Sequence, residues 1–460
     1  MIESEHIAAP PLDLTVATGH GTKAPLVSVI VVNYNGEGYL RSLLPSLFAQ
    51  TYPHVEIVIV DNASSDSSLE YLRSLGQRIR TVPSPRNLGF AGGNNLGIAA
   101  ARGTYFALIN SDTVADPRWL EHLVRELEGD KAVGAVGPKI TFLKPYLRFT
   151  FRVASFRPSD HGHAQDERRL GLCLDENTKV EGCTYRKPIF RAGFGGTEAL
   201  GGHQARWSGE HGEVLLPFEG REGDKTLLVI ASGGSLNPSR IFTVELEGRM
   251  VGTGQLTGDF AEHRFVIPAD VVSMLGRYAI NNAGSALSDR GVAGDRGIFA
   301  LDEGQYDRAE DVTALCGCSM LIRRDAFEEV GGFDSSFFMY FEDVDLSWRL
   351  RRRGFRLRYQ PASVIRHVHA GTSSEGSPLF VFFTARNRLM MLLKNAPWSS
   401  VIGAWGEELR HTASLTLQVL RAARIGSGRR VSLNRLRIRL RILASALFHS
   451  PAALIRRWRG

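Results

Sequence analysis

Past Glu408 the sequence contains no aspartate, no glutamate and no lysine, yet 12 arginines follow. The rest of the chain holds 43 basic residues against 48 acidic ones, so the net charge of +7 describes a mildly acidic body joined to a strongly basic tail. Such asymmetry points to a partner surface of negative charge, either membrane or nucleic acid. Cysteine is scarce too. Cys173, Cys183, Cys316 and Cys318 form no C-x-x-C pair, which argues against a disulfide framework and fits a reducing compartment. Cys316 and Cys318 read as small core residues, because the further ligands that a thiolate metal site needs are missing. No uninterrupted apolar run approaches the roughly 18–20 residues that span a bilayer. The leading MIESEHIAAPPLDL carries acids and prolines, so no secretory leader is expected and the expected location is cytoplasmic. No G-x-G-x-x-G follows the first apolar run, which argues against a dinucleotide oxidoreductase.

At 460 residues, two or three structural units are expected. Between residues 26 and 137 short β-branched runs alternate with helical patterns. LVSVIVV (Leu26–Val32), EIVIV (Glu56–Val60) and YFALI (Tyr105–Ile109) read as buried strands, and VGAVG (Val133–Gly137) as a weaker one. Leu40, Leu43, Leu44, Leu47 and Phe48 recur at helical spacing, and further helices are expected over Ser67–Leu75 and from Asn94 to Ala101. Strands buried on both faces and separated by helices imply an α/β, doubly wound, mostly parallel sheet. Ligands of such sheets bind beyond the carboxyl ends of the strands. Asn33-Tyr34-Asn35, Asp61-Asn62 and Asn110-Ser111-Asp112 all fall at those ends.

The pattern changes near residue 146, where glycine-dense, alternating segments such as RIFTVELEGRMVGTGQL suggest a β-sandwich-like insertion. The α/β character returns in ALCGCSMLIRRDAF. The expected division is a flexible N-terminus over 1–24, half of an α/β domain over 25–145, a β-rich insertion over 146–308, the second half over 309–396, and a helical basic tail over 397–460.

Three segments carry a family resemblance. VSVIVVNYNGEGYLRSLLPSLFAQTYPHVEIVIVDNASSD, RNLGFAGGNNLGIAAARGTYFALINSDT and GGFDSSFFMYFEDVDLSWRLRRRGFRLRY resemble the inverting family 2 glycosyltransferases, which have the GT-A fold. Within that family the chain is most similar to rhamnosyltransferase-like enzymes of bacterial surface polysaccharide. The resemblance implies a metal-dependent hexosyl transfer from a nucleoside-diphosphate sugar to a hydroxyl of a saccharide or lipid-linked glycan. NYNGEGY is not the G-x-G-T-R type of loop that a sugar nucleotidyltransferase carries near its start.

The roles follow from the matched motifs. Asp61, of the DNASSD pattern, matches the residue that contacts the nucleotide's base or ribose, and a carboxylate accepts hydrogen bonds from either. Asn33, Asn35, Asn62, Arg86 and Asn87 lie where the donor's nucleotide should pass, and a helix opening at FAGGNN can direct amides at phosphate. Asn110-Ser111-Asp112 matches D-x-D, with Asn110 in the first place. Asp112 is the expected ligand of a divalent cation, Mn2+ or Mg2+, while the role of Asn110 stays open. Asp343 matches the general base that takes the acceptor's proton; Glu342 beside it is the less favoured base and orients the acceptor. Asp345 is expected to cap its helix or to pair with Arg349 at i+4. His367 and His369 match a stretch that supplies a histidine near the metal. Their H-x-H spacing points them to opposite faces of a strand, and His367 is chosen by its position relative to Gly371 and Ser373.

In the tail, Leu433, Leu436, Leu440, Leu443 and Leu447 form a helical stripe flanked by arginines. That suits a helix on an anionic membrane surface, with packing on the body as the equal alternative. Nucleic acid is not expected as a partner, since no recognised fold or aromatic platform accompanies the arginines. The rival from another class is a non-catalytic glycan-binding or scaffold protein that retains the fold, for which Asn110 is the best support.

Overall fold

The computed structural model describes residues 24–162, 166–185, 187–220, 222–288, 291–368, 376–425 and 429–459. His369, Gly371, Ser373 and the first 23 residues lie outside them. Three β-branched runs form the expected strands β1 (Val27–Asn33), β2 (Val55–Asp61) and β4 (Tyr105–Ile109), with β3 (Arg80–Pro83) at the edge. The contacts among these four are parallel, β1 pairing with both β2 and β4, and β2 with β3. Helices α1 (Glu37–Phe48), α2 (Ser68–Ser74) and α3 (Gly89–Ala99) cross over between them. α3 starts five residues before Asn94, because Gly89 turns the chain at φ +68°.

Beyond β4 come the short β5 (Thr113–Ala115), α4 (Trp119–Gly129) and β6 (Val133–Val153). The weak VGAVG signal is the start of this 21-residue strand, which runs from the central sheet into the β-rich region. The division at 145/146 drawn from the sequence falls inside it. The outer half of β6 pairs with β7 (His211–Pro217) and β8 (Ile241–Leu246), and β8 forms a hairpin with β9 (Arg249–Gln255). A separate six-stranded sheet, which includes Lys225–Ser232 and Ala261–Ile267, covers that extension. Phe149, Phe151, Leu174, Val229, Phe242 and Val244 fill the space between the two layers.

The chain returns to the central sheet through β10 (Arg277–Asn282), which pairs with β6, and β11 (Ser319–Arg323), which inserts antiparallel between β4 and β6. Helix α5 (Glu342–Arg352) leads to β12 (Arg356–His367), which runs parallel to β6 and antiparallel to β5. The chain is therefore a mixed α/β protein with a parallel-rich central sheet, an additional β-rich region and C-terminal helices. Those helices are α6 (Pro378–Asn395), α7 (Trp398–Ile425) and α8 (Arg429–Arg459). One stretch departs from the apolar-run expectation. Leu433–Trp458 is long and apolar enough by composition to cross a membrane, because its arginines cluster at the two ends.

Candidate active site

The carboxyl ends of β1, β2 and β4 converge as the sheet type requires. At the end of β1, Asn33 is fully buried and donates to Ser64 Oγ at 3.3 Å, while its Oδ1 has no partner among the described residues. Asn35 adopts φ +50°, and its Oδ1 accepts from the Ser65 amide at 2.7 Å. It thereby ties the loop after β1 to the loop after β2. Asp61 is 2% exposed; its Oδ2 receives the Ser64 amide at 3.3 Å, and its Oδ1 is buried without a partner among the described residues. A buried carboxylate oxygen left open is a costly arrangement unless a ligand completes it.

Asn62 is used within the fold. Its amide donates to Asn87 Oδ1 and the Gly89 carbonyl, and its oxygen accepts from the Leu88 amide at 2.8 Å. Asn87 Oδ1 also caps the Gly89 amide at 2.8 Å. Arg86 is exposed at the rim of this turn. The amides of Phe90 and Ala91, which open α3, both donate to the Phe338 carbonyl, so they are taken by protein and not turned to a phosphate. A Cβ on Gly89 would lie 2.4 Å from that same carbonyl oxygen, which restricts the position to glycine.

After β4 the backbone amide of Asn110 donates to the Cys318 carbonyl at 2.9 Å, and its carbonyl accepts from Thr113 Oγ1 at 2.7 Å. The Asn110 side chain is half-buried. The β5–β12 pairing sets Thr113 opposite His367, which brings the adjacent Asp112 to the imidazole. Asp112 Oδ1 lies 3.2 Å from His367 Nε2, and both residues are buried. On the other ring nitrogen, His367 Nδ1 is 2.9 Å from Asn281 Oδ1, at the end of β10. An amide oxygen only accepts, so Nδ1 carries a proton, which makes Nε2, the nitrogen that faces Asp112, the one able to bind a cation. Two ligands of a divalent cation with bonds near 2.1 Å, set at right angles, stand about 3 Å apart, so this donor pair suits one. A histidine whose second nitrogen is fixed by an amide oxygen is also the common arrangement around metals. Among the described residues no group of three or more His, Cys, Asp or Glu gathers. The pair would therefore leave most of a cation's shell to a phosphorylated ligand and water.

The second acidic cluster opens α5. Asp343 Oδ2 accepts from the Gly317 amide at 2.7 Å, and Oδ1 from the Val344 amide at 2.7 Å. Burial, reinforced by the charge of Asp295, pushes its carboxyl up to about 6. Glu342 is 5% exposed with Oε2 lacking a partner among the described residues, and burial beside Asp343 holds its carboxyl well above the ordinary range. Of the two, Asp343 is thus the readier to ionise and Glu342 the one that holds its proton more tightly. Asp345 is fully buried and paired with Arg349, Lys394 and Asn395, so it belongs to the scaffold, as its i+4 spacing to Arg349 anticipates. Arg352 and Arg353 line a cleft of about 350 Å3 at the opposite end of α5 from the acidic pair.

The two clusters meet through one turn. Asp343 holds the amide of Gly317 while Asn110 binds the carbonyl of Cys318, and the charges of both Asp112 and Asp343, added to burial, push the Cys318 thiol up. Both carboxylates therefore border a single small region. The loop that delivers Asp343 is strained: Phe338, Tyr340 and Phe341 have φ of +65°, +69° and +68°. Asn387, buried in α6, donates through Nδ2 to the carbonyls of Phe337, Met339 and Tyr340 at 2.8–2.9 Å and holds the loop in place. Asn281 and Asn387 escape sequence reasoning, the first inside a segment assigned to the insertion, the second inside an apolar helix. Tyr185, which donates to the Val368 carbonyl at 2.9 Å beside Asp112, escapes it too.

An α/β chain with an acid–imidazole pair beyond the ends of its sheet strands and a buried carboxylate pair at the start of α5 is the class this architecture defines. Two family models match it: Glycosyl transferase family 2 over residues 28–168, and Glycosyltransferase like family 2 over residues 297–391. The chain thus carries glycosyltransferase family 2 domain sequence on both sides of the β-rich region. An uncharacterized glycosyltransferase of Haemophilus influenzae is 39% identical over 116 residues, which is 25% of this chain and 36% of that protein. One of Rickettsia typhi is 27% identical over 170 residues, covering 36% of this chain and 51% of that protein. Glycosyltransferase GlyG of Streptococcus pneumoniae is 32% identical over 115 residues, or 24% of this chain and 38% of that protein. This chain thus spans between about a third and a half of the length of these relatives. Among solved structures, a mannosyltransferase of Pyrobaculum calidifontis in complex with GDP-Man and Mn2+ has a TM-score of 0.40 at 14% identity, covering 93% of this chain and 88% of that one. GalNAc-T7 with UDP, GalNAc and Mn2+ has a TM-score of 0.44 at 13% identity, covering 81% of this chain and 48% of that one.

Proposed function

We propose that this protein is an inverting glycosyltransferase that moves a sugar from a nucleoside-diphosphate donor to a hydroxyl of a saccharide or lipid-linked glycan. The observation that carries the reading is that Asp343 binds the Gly317 amide while Asn110, two residues before Asp112, binds the Cys318 carbonyl of the same turn. The open oxygens of Asp61 and Asn33 receive the nucleoside of the donor, with Arg86 at the rim. Asp112 and His367 would hold a divalent cation, Mn2+ or Mg2+, which when bound neutralises charge on the departing diphosphate.

Asp343 is the general base. Its carboxyl, ionised above about pH 6, accepts the acceptor's hydroxyl proton as that oxygen bonds to the anomeric carbon. The bond from that carbon to the diphosphate breaks, and its electron pair leaves with the nucleotide. A single displacement inverts the centre and needs no protein nucleophile. Glu342, whose burial beside the base favours its protonated form, donates a hydrogen bond to the acceptor and orients it.

The test has two parts. Nucleotides screened with manganese should raise the melting point only for the cognate diphosphate. Glycosyl transfer and donor hydrolysis should then require manganese and fall in Asp343→Asn. Turnover indifferent to both would favour a scaffold protein and end the proposal.

A further inference from the structure

The tail does two separate jobs. Ile442, Ala446 and Ala453 of α8 are 0–2% exposed and pack on the body. Three tail arginines anchor the helix there: Arg439 on Glu408, Arg456 on Asp334, and Arg457 on the carbonyls of Leu393 and Ala396. At 100° per residue the large apolar side chains on the other side of α8 fall within one narrow sector. Leu440, Leu447, Phe448, Ile455 and Trp458 are 51–81% exposed. The outward residues Ala444 and Pro451 lie in the same sector, so it holds no charge from Leu440's turn to Trp458. Helix α7 repeats the pattern: Ile402, Leu409, Leu417 and Leu420 share one face at 54–69% exposure. Exposed stripes of this extent mark an interaction surface.

We infer that α8, together with α7, lies flat on an anionic lipid surface. Phe448, Ile455 and Trp458 enter the boundary between headgroups and acyl chains, while the exposed Arg437 and Arg441, on or beside the same sector, meet lipid phosphates. Charge chooses this occupant. The sequence after Glu408 has no acid with which an acidic surface would clash. The packed face decides the geometry, because a helix held by Arg439, Arg456 and Arg457 has one side for lipid and lies along the membrane without crossing it. The residues engaged differ from the leucine stripe read in the sequence, since Leu433, Leu436 and Leu443 are half-buried.

Flotation of the whole chain on vesicles tests the inference. One set is phosphatidylcholine alone, the other carries about a third phosphatidylglycerol, enough to give a negative surface potential. The expected result is flotation on the anionic vesicles, weaker by about tenfold or more on neutral ones or in high salt. Phe448→Ser/Trp458→Ser and Arg437→Glu/Arg441→Glu should each lose about tenfold with unchanged melting curves, since all four side chains are exposed. Alkaline carbonate should release the bound protein. Equal flotation on neutral vesicles, flotation of both variants at the wild-type level, or resistance to carbonate would overturn the inference. So would a wild-type dimer in light scattering that Phe448→Ser/Trp458→Ser abolishes without any flotation, because a second copy would then cover the stripe. Flotation reads no turnover, so its failure leaves the proposed transfer reaction standing.

Discussion

Replacing Asn387 by leucine removes the clamp on the strained loop while keeping the side chain's volume. Asn387 Nδ2 serves three carbonyls, those of Phe337, Met339 and Tyr340, and the loop holds three non-glycine residues at positive φ. Each such residue costs about 1 kcal/mol or more, so roughly 3 kcal/mol of strain pulls against the clamp. Leucine supplies no donor; the carbonyls of Met339 and Tyr340 lose this partner at about 1 kcal/mol each, and Phe337, whose carbonyl keeps the Met339 amide, loses less, for a total of about 2–3 kcal/mol. That is comparable with the strain, so the loop should relax. Relaxation moves the Phe338 carbonyl off the amides of Phe90 and Ala91 and shifts Asp343 from the Gly317 amide. Two measurements follow. Hydrogen exchange over residues 337–343 should accelerate, with the unfolding free energy lower by about 2–3 kcal/mol. If the base is displaced, kcat should fall by about 100-fold, the equivalent of some 2.7 kcal/mol, while nucleotide affinity, set on other strands, stays near wild type. Asn387→Leu with wild-type exchange in that loop, and stability within about 0.5 kcal/mol, would refute the reasoning.

Further outcomes are expected. Asp343→Asn should lower transfer by about 10²–10⁴-fold with nucleotide binding intact by calorimetry, and the wild-type rate should rise with pH through about 6 and then level off. The same substitution should raise the melting point at pH 8 and leave it unchanged at pH 4. A carboxyl whose folded value lies above its unfolded one loses stability as pH rises through that interval, and asparagine removes the loss. Asn281→Ala frees the His367 ring and should weaken manganese binding by about 10–100-fold, read by calorimetry with nucleotide present. Lys394→Met leaves Asp334 and Asp345 short of a buried partner and should cost about 3–5 kcal/mol in denaturant unfolding at pH 7. Those two carboxyls are held below the ordinary range by their cationic partners, so the deficit should shrink as pH falls below about 4, measured as converging melting points.

The class of fold was legible because strands and crossover helices write local periods. β-branched runs at β1, β2 and β4 and the leucine face of α1 appear in the sequence where the structure has them. Strand ends are also local, which is why Asn33, Asp61 and Asp112 could be named as one edge before any coordinates. The pairing of Asp345 with Arg349 follows from helical spacing alone. Other features depend on residues far apart in the chain. Asn281 reaches His367 across 86 positions, and Asn387 reaches Phe337 across 50. An asparagine in such a place has no periodic signature, since its value lies wholly in the partner that folding brings to it. The length of β6 was hidden for a related reason: past Gly137 its side chains face different layers, and a strand that changes neighbours midway shows no single alternation. Composition likewise announced a basic tail and an apolar stripe. Which side of α8 faces outward was decided by packing, because three arginines together with Ile442, Ala446 and Ala453 bind one face to the body and leave the opposite face to solvent.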